Sequence, residues 1–186
     1  MKRHNTFKPN AVHMMTDLET LSLEQQLAPI VAIAFVPFTM EKGAILDGVK
    51  SFMVTPHEQS RMDFETIKWW LFQDKAAIAA SFSEDGNDEI ELKVALEALS
   101  KTYSDFFCET LWAKSLQFDI NNIEFYMDGF GIDKPWSFRD RMDTRPLGRL
   151  LTEETANDIY NKYTLHDPVQ DCLCQIEFVR TAVNRS

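Results

Sequence analysis

Two acidic side chains, Asp17 and Glu19, lie one residue apart directly after a mostly apolar stretch, Ala11 to Thr16. That stretch is typical of a buried strand, and strand side chains alternate between two faces, so both carboxylates should emerge on the same side of a sheet. Surface charge or helix capping would also explain an Asp-x-Glu pair. Because burying two carboxylates without cations or partners is unfavourable, the position after a strand favours a site for hard cations.

A second group of polar residues lies near the end of the chain, in the sequence HDPVQD from His166 to Asp171. Asp167 is predicted to cap a helix, with Pro168 at its first position and Gln170 completing a capping box. This frame leaves His166 just before the helix and Asp171 in its early turns, so both side chains can face one site.

A further acidic residue, Asp119, follows Phe118 at the predicted start of another helix. Aspartate is among the preferred helix-capping residues, so capping explains Asp119 as well as a functional role does. The residue type alone leaves both interpretations open.

Apolar runs and helical periodicity predict the elements that position these side chains. Strands are predicted at Ala11 to Thr16, Pro29 to Phe38, Ala44 to Val54 and Glu109 to Lys114. Helices are predicted near Phe64 to Leu71, Asp88 to Tyr103, Asp119 to Gly129, Thr144 to Leu151 and Pro168 to Val183. The third strand should return antiparallel after the turn at Lys42-Gly43, and the element order predicts an α/β architecture, a mixed sheet flanked by helices.

Length and composition limit the class of protein. With 186 residues and 45% hydrophobic content, the chain is expected to form a single domain, residues 1–186, with room for disorder in about the first ten residues. No apolar run approaches the length of a membrane span, so we expect a soluble, cytoplasmic protein without a membrane partner. Three cysteines without zinc-ligand spacing indicate free thiols. The net charge of −10 argues against a broad cationic surface for nucleic acid, although metal ions in a carboxylate cluster can hold a phosphodiester locally.

The ordered set of motifs resembles the DEDDh 3′–5′ exonucleases, the superfamily of oligoribonuclease, RNase T and polymerase proofreading subunits. Asp17-Leu18-Glu19-Thr20-Leu21 resembles the first motif, Leu116 to Asp119 the second, and His166 and Asp171 the His-x-x-x-x-Asp third motif. The resemblance is closest to the bacteriophage DexA-like and mycobacterial-type exoribonuclease branch, through Trp112 before Phe118-Asp119 and through Asp143-Thr144-Arg145. The segment Ala113 to Gln117 departs from that branch, whose members often have Gly and Asn there.

The resemblance implies an RNase H-like fold and hydrolysis of RNA or single-stranded DNA from the 3′ end, releasing nucleoside 5′-monophosphates. It implies that two Mg²⁺ or Mn²⁺ ions are held by four carboxylates, those of Asp17, Glu19, Asp119 and Asp171. His166 would be the general base, since an unperturbed pKa of about 6.5 suits proton removal near neutral pH.

Substrate contacts and partners follow from the same resemblance. Thr20 and Leu21 would meet the terminal nucleotide, through a backbone contact to the 3′ hydroxyl and an apolar wedge. Trp69 and Trp70 are interpreted either as a base-stacking surface or as core, and Arg145 either as a phosphate ligand or as a surface residue. A homodimer is compatible with the family.

Two other functions remain open at this stage. The acidity and the atypical second motif are compatible with a non-catalytic RNase H-like module that binds a partner protein. A proofreading subunit of a DNA polymerase would share the chemistry and differ in its partner. His4, His13 and His57 receive no role, and no residue distinguishes RNA from DNA.

Overall fold

The computed structural model describes residues 8, 10–84 and 86–184. Disorder in about the first ten residues, and any statement about His4, concern positions that lie almost entirely outside the described residues. In the described ranges, no helix is both long and apolar enough to cross a membrane.

The described chain forms one seven-stranded mixed sheet with helices. The strands are β1 (Val12–Thr20), β2 (Ile30–Thr39), β3 (Gly43–Ala44), β4 (Lys50–Thr55), β5 (Ile90–Glu91), β6 (Leu111–Ala113) and β7 (Arg141–Asp143). The helices are α1 (Phe64–Trp70), α2 (Lys75–Ser81), α3 (Leu92–Asp105), α4 (Asn121–Phe130), α5 (Arg145–Gly148), α6 (Glu153–Tyr160) and α7 (Pro168–Asn184). A 3₁₀ turn, Leu46–Gly48, precedes β4, and a π-helical turn, Leu116–Ile120, precedes α4.

The sheet order is β5-β4-β2-β1-β6-β7, and β3 pairs with β2. The β1–β2 and β2–β4 pairs are antiparallel, whereas β1–β6 and β6–β7 are parallel. The predicted mixed sheet with three opening antiparallel strands is therefore confirmed.

The third predicted strand, Ala44 to Val54, is interrupted. Pro37 in β2 has no N–H to donate to a neighbouring strand, and the chain opposite forms the 3₁₀ turn instead. Gly48 in this turn packs closely, because a Cβ there would lie 2.5 Å from Pro37 Cγ and 2.7 Å from a ring carbon of Phe106.

The strand β1 has both faces covered, and its alternation assigns side chains to two separate cores. Met14 and Leu18 pack in the cluster that contains α3 and α4 residues, such as Leu96. Met15 packs on the other face with Cys172 and Ile176 of α7. Asp17 and Glu19, two and four residues after Met15, therefore point toward α7 at the end of β1.

His13 and His57, the two described histidines outside the predicted site, pack against other side chains of the fold. His13 is buried and its Nδ1 lies 2.8 Å from Thr110 Oγ1. His57 packs against the rings of Tyr126 and Phe130.

Candidate active site

The carboxylates of Asp17 and Glu19 are buried, with 8% and 7% of each residue exposed. They face α7, whose Gln175 donates from Nε2 to Asp17 Oδ1 at 2.8 Å. The register of β1 against β2 shifts between Glu19 and Thr20, so the bulge ends the regular pairing just after the acidic pair.

Asp119 is not the N-cap of the helix that follows it. The helical segment begins three residues before Asp119, at Leu116, and the cap is Ser115, whose Oγ accepts from Phe118 N. Asp119 lies inside the π-helical turn, a geometry that often marks functional sites. Its buried carboxylate accepts from Ser115 N at 3.1 Å.

The predicted helix cap at Asp167 is confirmed. Asp167 Oδ1 accepts from Val169 N at 2.9 Å and from Gln170 N at 3.1 Å, and α7 begins at Pro168. This leaves His166 directly before the cap residue, with a positive φ of 64°, a backbone conformation uncommon for a residue other than glycine.

A hydrogen bond fixes the last two members of the set relative to one another. Asp171 Oδ2 accepts from the backbone N–H of His166 at 2.8 Å. The two side chains face the same space, since ligand atoms of both lie within 4.8 Å of one another.

The elements converge on one cluster. Ligand atoms of Glu19, His166 and Asp171 all lie within 4.8 Å of one another, a separation that one metal ion can bridge. Asp17 and Asp119 belong to the same electrostatic neighbourhood, because Asp119 raises the pKa of both Asp17 and Glu19.

Burial and mutual repulsion disfavour the charged forms of these acids. Burial, followed by repulsion from Asp119, Asp171 and Glu19, raises the pKa of Asp17 well above its usual range. Burial and the neighbouring acids raise the pKa of Glu19 to about 8, and burial raises that of Asp119 to about 7. Buried oxygen ligands that repel one another fit hard divalent cations, whose charge would reverse these shifts.

The imidazole of His166 has the opposite shift. Burial lowers the pKa of His166, and the carboxylate of Asp171 partly offsets this by raising it. A pKa below the ordinary value keeps the imidazole neutral near pH 7, which is the form that can accept a proton.

An apolar cavity of about 410 Å³ opens beside Glu19 and Thr20. Its other lining residues are Leu18, Leu23, Asp63, Glu65, Thr66, Trp69, Trp70 and Phe118. Leu21 is half-buried and does not line this cavity, whereas Leu23 does and is 77% exposed. A larger cavity of about 480 Å³, near His57, contains none of the five predicted site residues.

The two adjacent tryptophans differ in their environment. Trp70 is 4% exposed and donates from Nε1 to the carbonyl of Thr20 at 2.9 Å, so it supports the end of β1. Trp69 is 42% exposed and lies against His166. The core interpretation is therefore correct for Trp70, while Trp69 presents its ring to the cavity.

Three residues near the cluster are not identified by the sequence: it indicates no role for Gln175 or Lys114, and two alternatives for Arg145. Gln175 bonds Asp17, and Lys114 lies near enough to Glu19 and Asp119 to lower the pKa of both. Arg145 Nη2 pairs with Asp143 at 2.7 Å. In the sequence, a lone glutamine on a helix and a lysine after a short strand carry no periodic signal that identifies them.

The fold is shared with solved nucleases. Cell-death related nuclease 4 (CRN-4) superposes with a TM-score of 0.66 at 16% identity, over 96% of this chain and 65% of that protein. Exonuclease I from Methylocaldum szegediense superposes with a TM-score of 0.64 at 12% identity, over 95% of this chain and 41% of that protein. The nuclease domain of 3′hExo, a DEDDh family member bound to rAMP, superposes with a TM-score of 0.61 at 8% identity, over 94% of this chain and 92% of that domain.

These neighbours place the fold of this chain among the RNase H-like nucleases. A model of the 3′–5′ exoribonuclease Rv2179c-like domain matches residues 12–183. The chain belongs to that family, as the resemblance to the mycobacterial-type branch predicted. No curated protein sequence matches the chain.

Proposed function

We propose that this chain shortens RNA from its 3′ end, with Asp17, Glu19, Asp119, His166 and Asp171 as its active site. The observation that carries the proposal is the convergence of Glu19, His166 and Asp171, whose ligand atoms lie within 4.8 Å of one another although they come from opposite ends of the chain. The family to which the chain belongs consists of exoribonuclease domains, which supports RNA as the substrate.

The carboxylates of Asp17, Glu19, Asp119 and Asp171 would hold two Mg²⁺ or Mn²⁺ ions. When bound, such ions acidify the attacking water and stabilise charge on the leaving oxygen. The four carboxylates would balance the charge of two divalent ions, and Gln175 would hold Asp17 in place.

His166 would take the proton of the attacking water. Its imidazole is neutral at physiological pH by virtue of its lowered pKa, and it lies in the same cluster as Glu19 and Asp171. Water attacks the phosphorus, the bond from phosphorus to the O3′ of the preceding nucleotide breaks, and that oxygen leaves with a proton. The products are a nucleoside 5′-monophosphate and a chain one nucleotide shorter.

The terminal nucleoside would occupy the apolar cavity beside Glu19. Thr20 lines this cavity, and the exposed ring of Trp69 offers a stacking surface for the base. Leu23 is better placed to wedge against the base than Leu21, because it lines the cavity and is exposed. The backbone of Thr20 or Leu21 would contact the 3′ hydroxyl.

A cytoplasmic location would suit the chain. Cys108, Cys172 and Cys174 are free and buried, as is common in a reducing compartment. A bound polymerase or a homodimer is not needed to complete the cluster, since all five residues come from one chain.

The proposal is tested with matched RNA and DNA oligonucleotides carrying a 3′-terminal label, incubated with the purified protein and Mn²⁺ or Mg²⁺. We expect early release of labelled nucleoside 5′-monophosphate from RNA, and none when EDTA is present or when the 3′ hydroxyl is replaced by a phosphate. Release of internal fragments, or inactivity on every substrate with both metals, would contradict it. The second result would favour the non-catalytic module.

A further inference from the structure

A second cavity, of about 180 Å³, adjoins the carboxylate cluster. It is formed where the end of β6 meets α5, α6 and α7. Its polar lining includes Lys114, Thr144, Arg145, Tyr160, Asp171 and Gln175. It shares no lining residue with the apolar cavity beside Glu19, so the cluster has two separate openings.

The cavity has two cations on its wall. The Nζ of Lys114 lies 5.8 Å from the ring centroid of Tyr160, and within the described ranges it makes no ion pair with a carboxylate. The guanidinium of Arg145 is held from one side, because its Nε and Nη2 donate to the two oxygens of Asp143. Its Nη1 takes no part in that pair, so donors remain for a second anion.

The negative charge of the cluster and of the whole chain would oppose the binding of nucleic acid, and these two cations would offset it. Three buried carboxylates and the partly buried Asp171 repel a nucleic acid backbone, and the chain as a whole carries a net charge of −10. Lys114 lowers the pKa of Glu19 and Asp119, so its charge lies at the edge of the cluster and faces the approach of a polyanion. A cation at that position offsets the repulsion for any phosphate beyond the reaction centre.

The arrangement of the two openings indicates which backbone phosphate Lys114 and Arg145 would contact. If the proposed function holds, the terminal nucleoside fills the apolar cavity beside Glu19 and Thr20, and the scissile phosphate lies over the carboxylates. The preceding nucleotide must then leave the cluster through another opening. The cavity beside Asp171, with Lys114 and Arg145 on its wall, is such an opening.

We propose that Lys114 and Arg145 form a subsite for the backbone phosphate that lies one nucleotide on the 5′ side of the scissile phosphate. This subsite rests on the proposed function for its orientation, but its chemistry is that of anion binding alone. Asp143 holds the guanidinium of Arg145 in position, and Lys114 contributes the charge that faces the cluster.

The simplest test uses two substrates that differ by one phosphate. The dinucleotide ApA contains only the scissile phosphate, whereas pApA carries the next one as well. We expect wild-type kcat/KM to be roughly 10-fold higher for pApA, the size of one charge-assisted hydrogen bond. Lys114→Gln should remove most of this preference, and Lys114→Arg should restore it.

The matched control is Lys162→Gln, since Lys162 is a partly exposed lysine whose charge is paired with Glu177 outside this cavity. It should leave the preference for pApA unchanged. Equal losses on ApA and pApA in Lys114→Gln would overturn the subsite, because Lys114 would then act at the scissile phosphate.

A binding measurement separates this proposal from catalysis. The affinity of a short single-stranded RNA is measured by fluorescence anisotropy at several salt concentrations. One lost phosphate contact should reduce the slope of log K against log salt by about 0.7 in Lys114→Gln. An unchanged slope would overturn the subsite, whereas a reduced slope in a protein without hydrolytic activity would support the subsite and contradict the exonuclease.

Discussion

The ring of Trp69 lies edge-on to the imidazole of His166, with ring centroids 4.8 Å apart and an angle of 88° between the planes. Trp69 also lines the apolar cavity proposed for the terminal base. One side chain therefore contacts both the proposed general base and the proposed base-binding cavity. His166 needs such support because it precedes α7 in a left-handed backbone conformation.

Removing this ring should lower turnover as well as binding. Trp69→Ala is expected to reduce kcat by about 3- to 10-fold, since an aromatic pair contributes about 0.5–1.5 kcal/mol, and KM should rise as the base loses a stacking surface. Phe72→Ala is the control, because Phe72 is 79% exposed and does not line the cavity. Steady-state kinetics on RNA would show the split, and equal effects of both variants would contradict the role of Trp69.

The amide of Gln175 should set the affinity for metal through Asp17. Gln175→Met keeps the length of the side chain and removes the donor that bonds Asp17 Oδ1. Loss of such a supporting contact typically costs 10–100-fold in metal affinity or activity. Mn²⁺ titration by calorimetry should show a loss of about that size, whereas Gln170→Met, the same change five residues earlier, should leave the affinity unaltered.

Rising pH should lower the stability of the metal-free protein, whereas bound metal should raise it. The pKa values of Glu19 and Asp119, raised to about 8 and about 7, exceed those of an unfolded chain. Such groups stabilise the fold below their unfolded pKa values, and this stabilisation is lost as pH rises through the folded values. Without metal, Tm should therefore fall between about pH 4 and pH 8.

Divalent metal should reverse this loss. Free Mg²⁺ or Mn²⁺ at 100 times its Kd would add about 2.7 kcal/mol to the free energy of unfolding at pH 8, and much less at pH 5 where the ligands are protonated. Differential scanning fluorimetry at both pH values, with and without metal, measures the difference. A metal-induced rise in Tm that is equal at pH 5 and pH 8 would argue against the carboxylate cluster as the binding site.

The cap at Asp167 links helix stability to the site. Asp167→Ala removes the acceptor for Val169 N and Gln170 N and should cost about 1 kcal/mol of stability. Activity should also fall, because the cap fixes the start of α7 between His166 and Asp171. Thr152→Ala removes the corresponding cap of α6, so it should cost similar stability and leave activity intact.

The positions of the candidate site residues could be predicted best where local geometry determines the direction of a side chain. Strand alternation places Asp17 and Glu19 on one face, and a helix cap at Asp167 separates a structural aspartate from His166 and Asp171. Asp119 could not be resolved in this way, because the cap at Ser115 depends on a π-helical turn that periodicity does not indicate.

The elements missed by sequence reasoning are short or polar. β7 has three residues, and its only pairing among the described strands is with β6. The helix α6 has eight mostly polar residues and one buried residue, Ile159. The contacts of Gln175, Lys114 and Trp69 with the site are long-range, and only the tertiary fold brings these residues to it.

The central claim is that five residues from three distant segments of the chain form one metal-dependent centre for 3′ nucleotide release. It is tested most directly by single-turnover release of a 3′-terminal nucleotide from RNA in Mn²⁺, comparing the wild-type protein with Asp119→Asn and His166→Ala. Both variants should keep the circular dichroism spectrum of the folded protein and lose release by at least about 100-fold, the lower range for a general base. Folded variants that release the terminal nucleotide at the wild-type rate would contradict the claim.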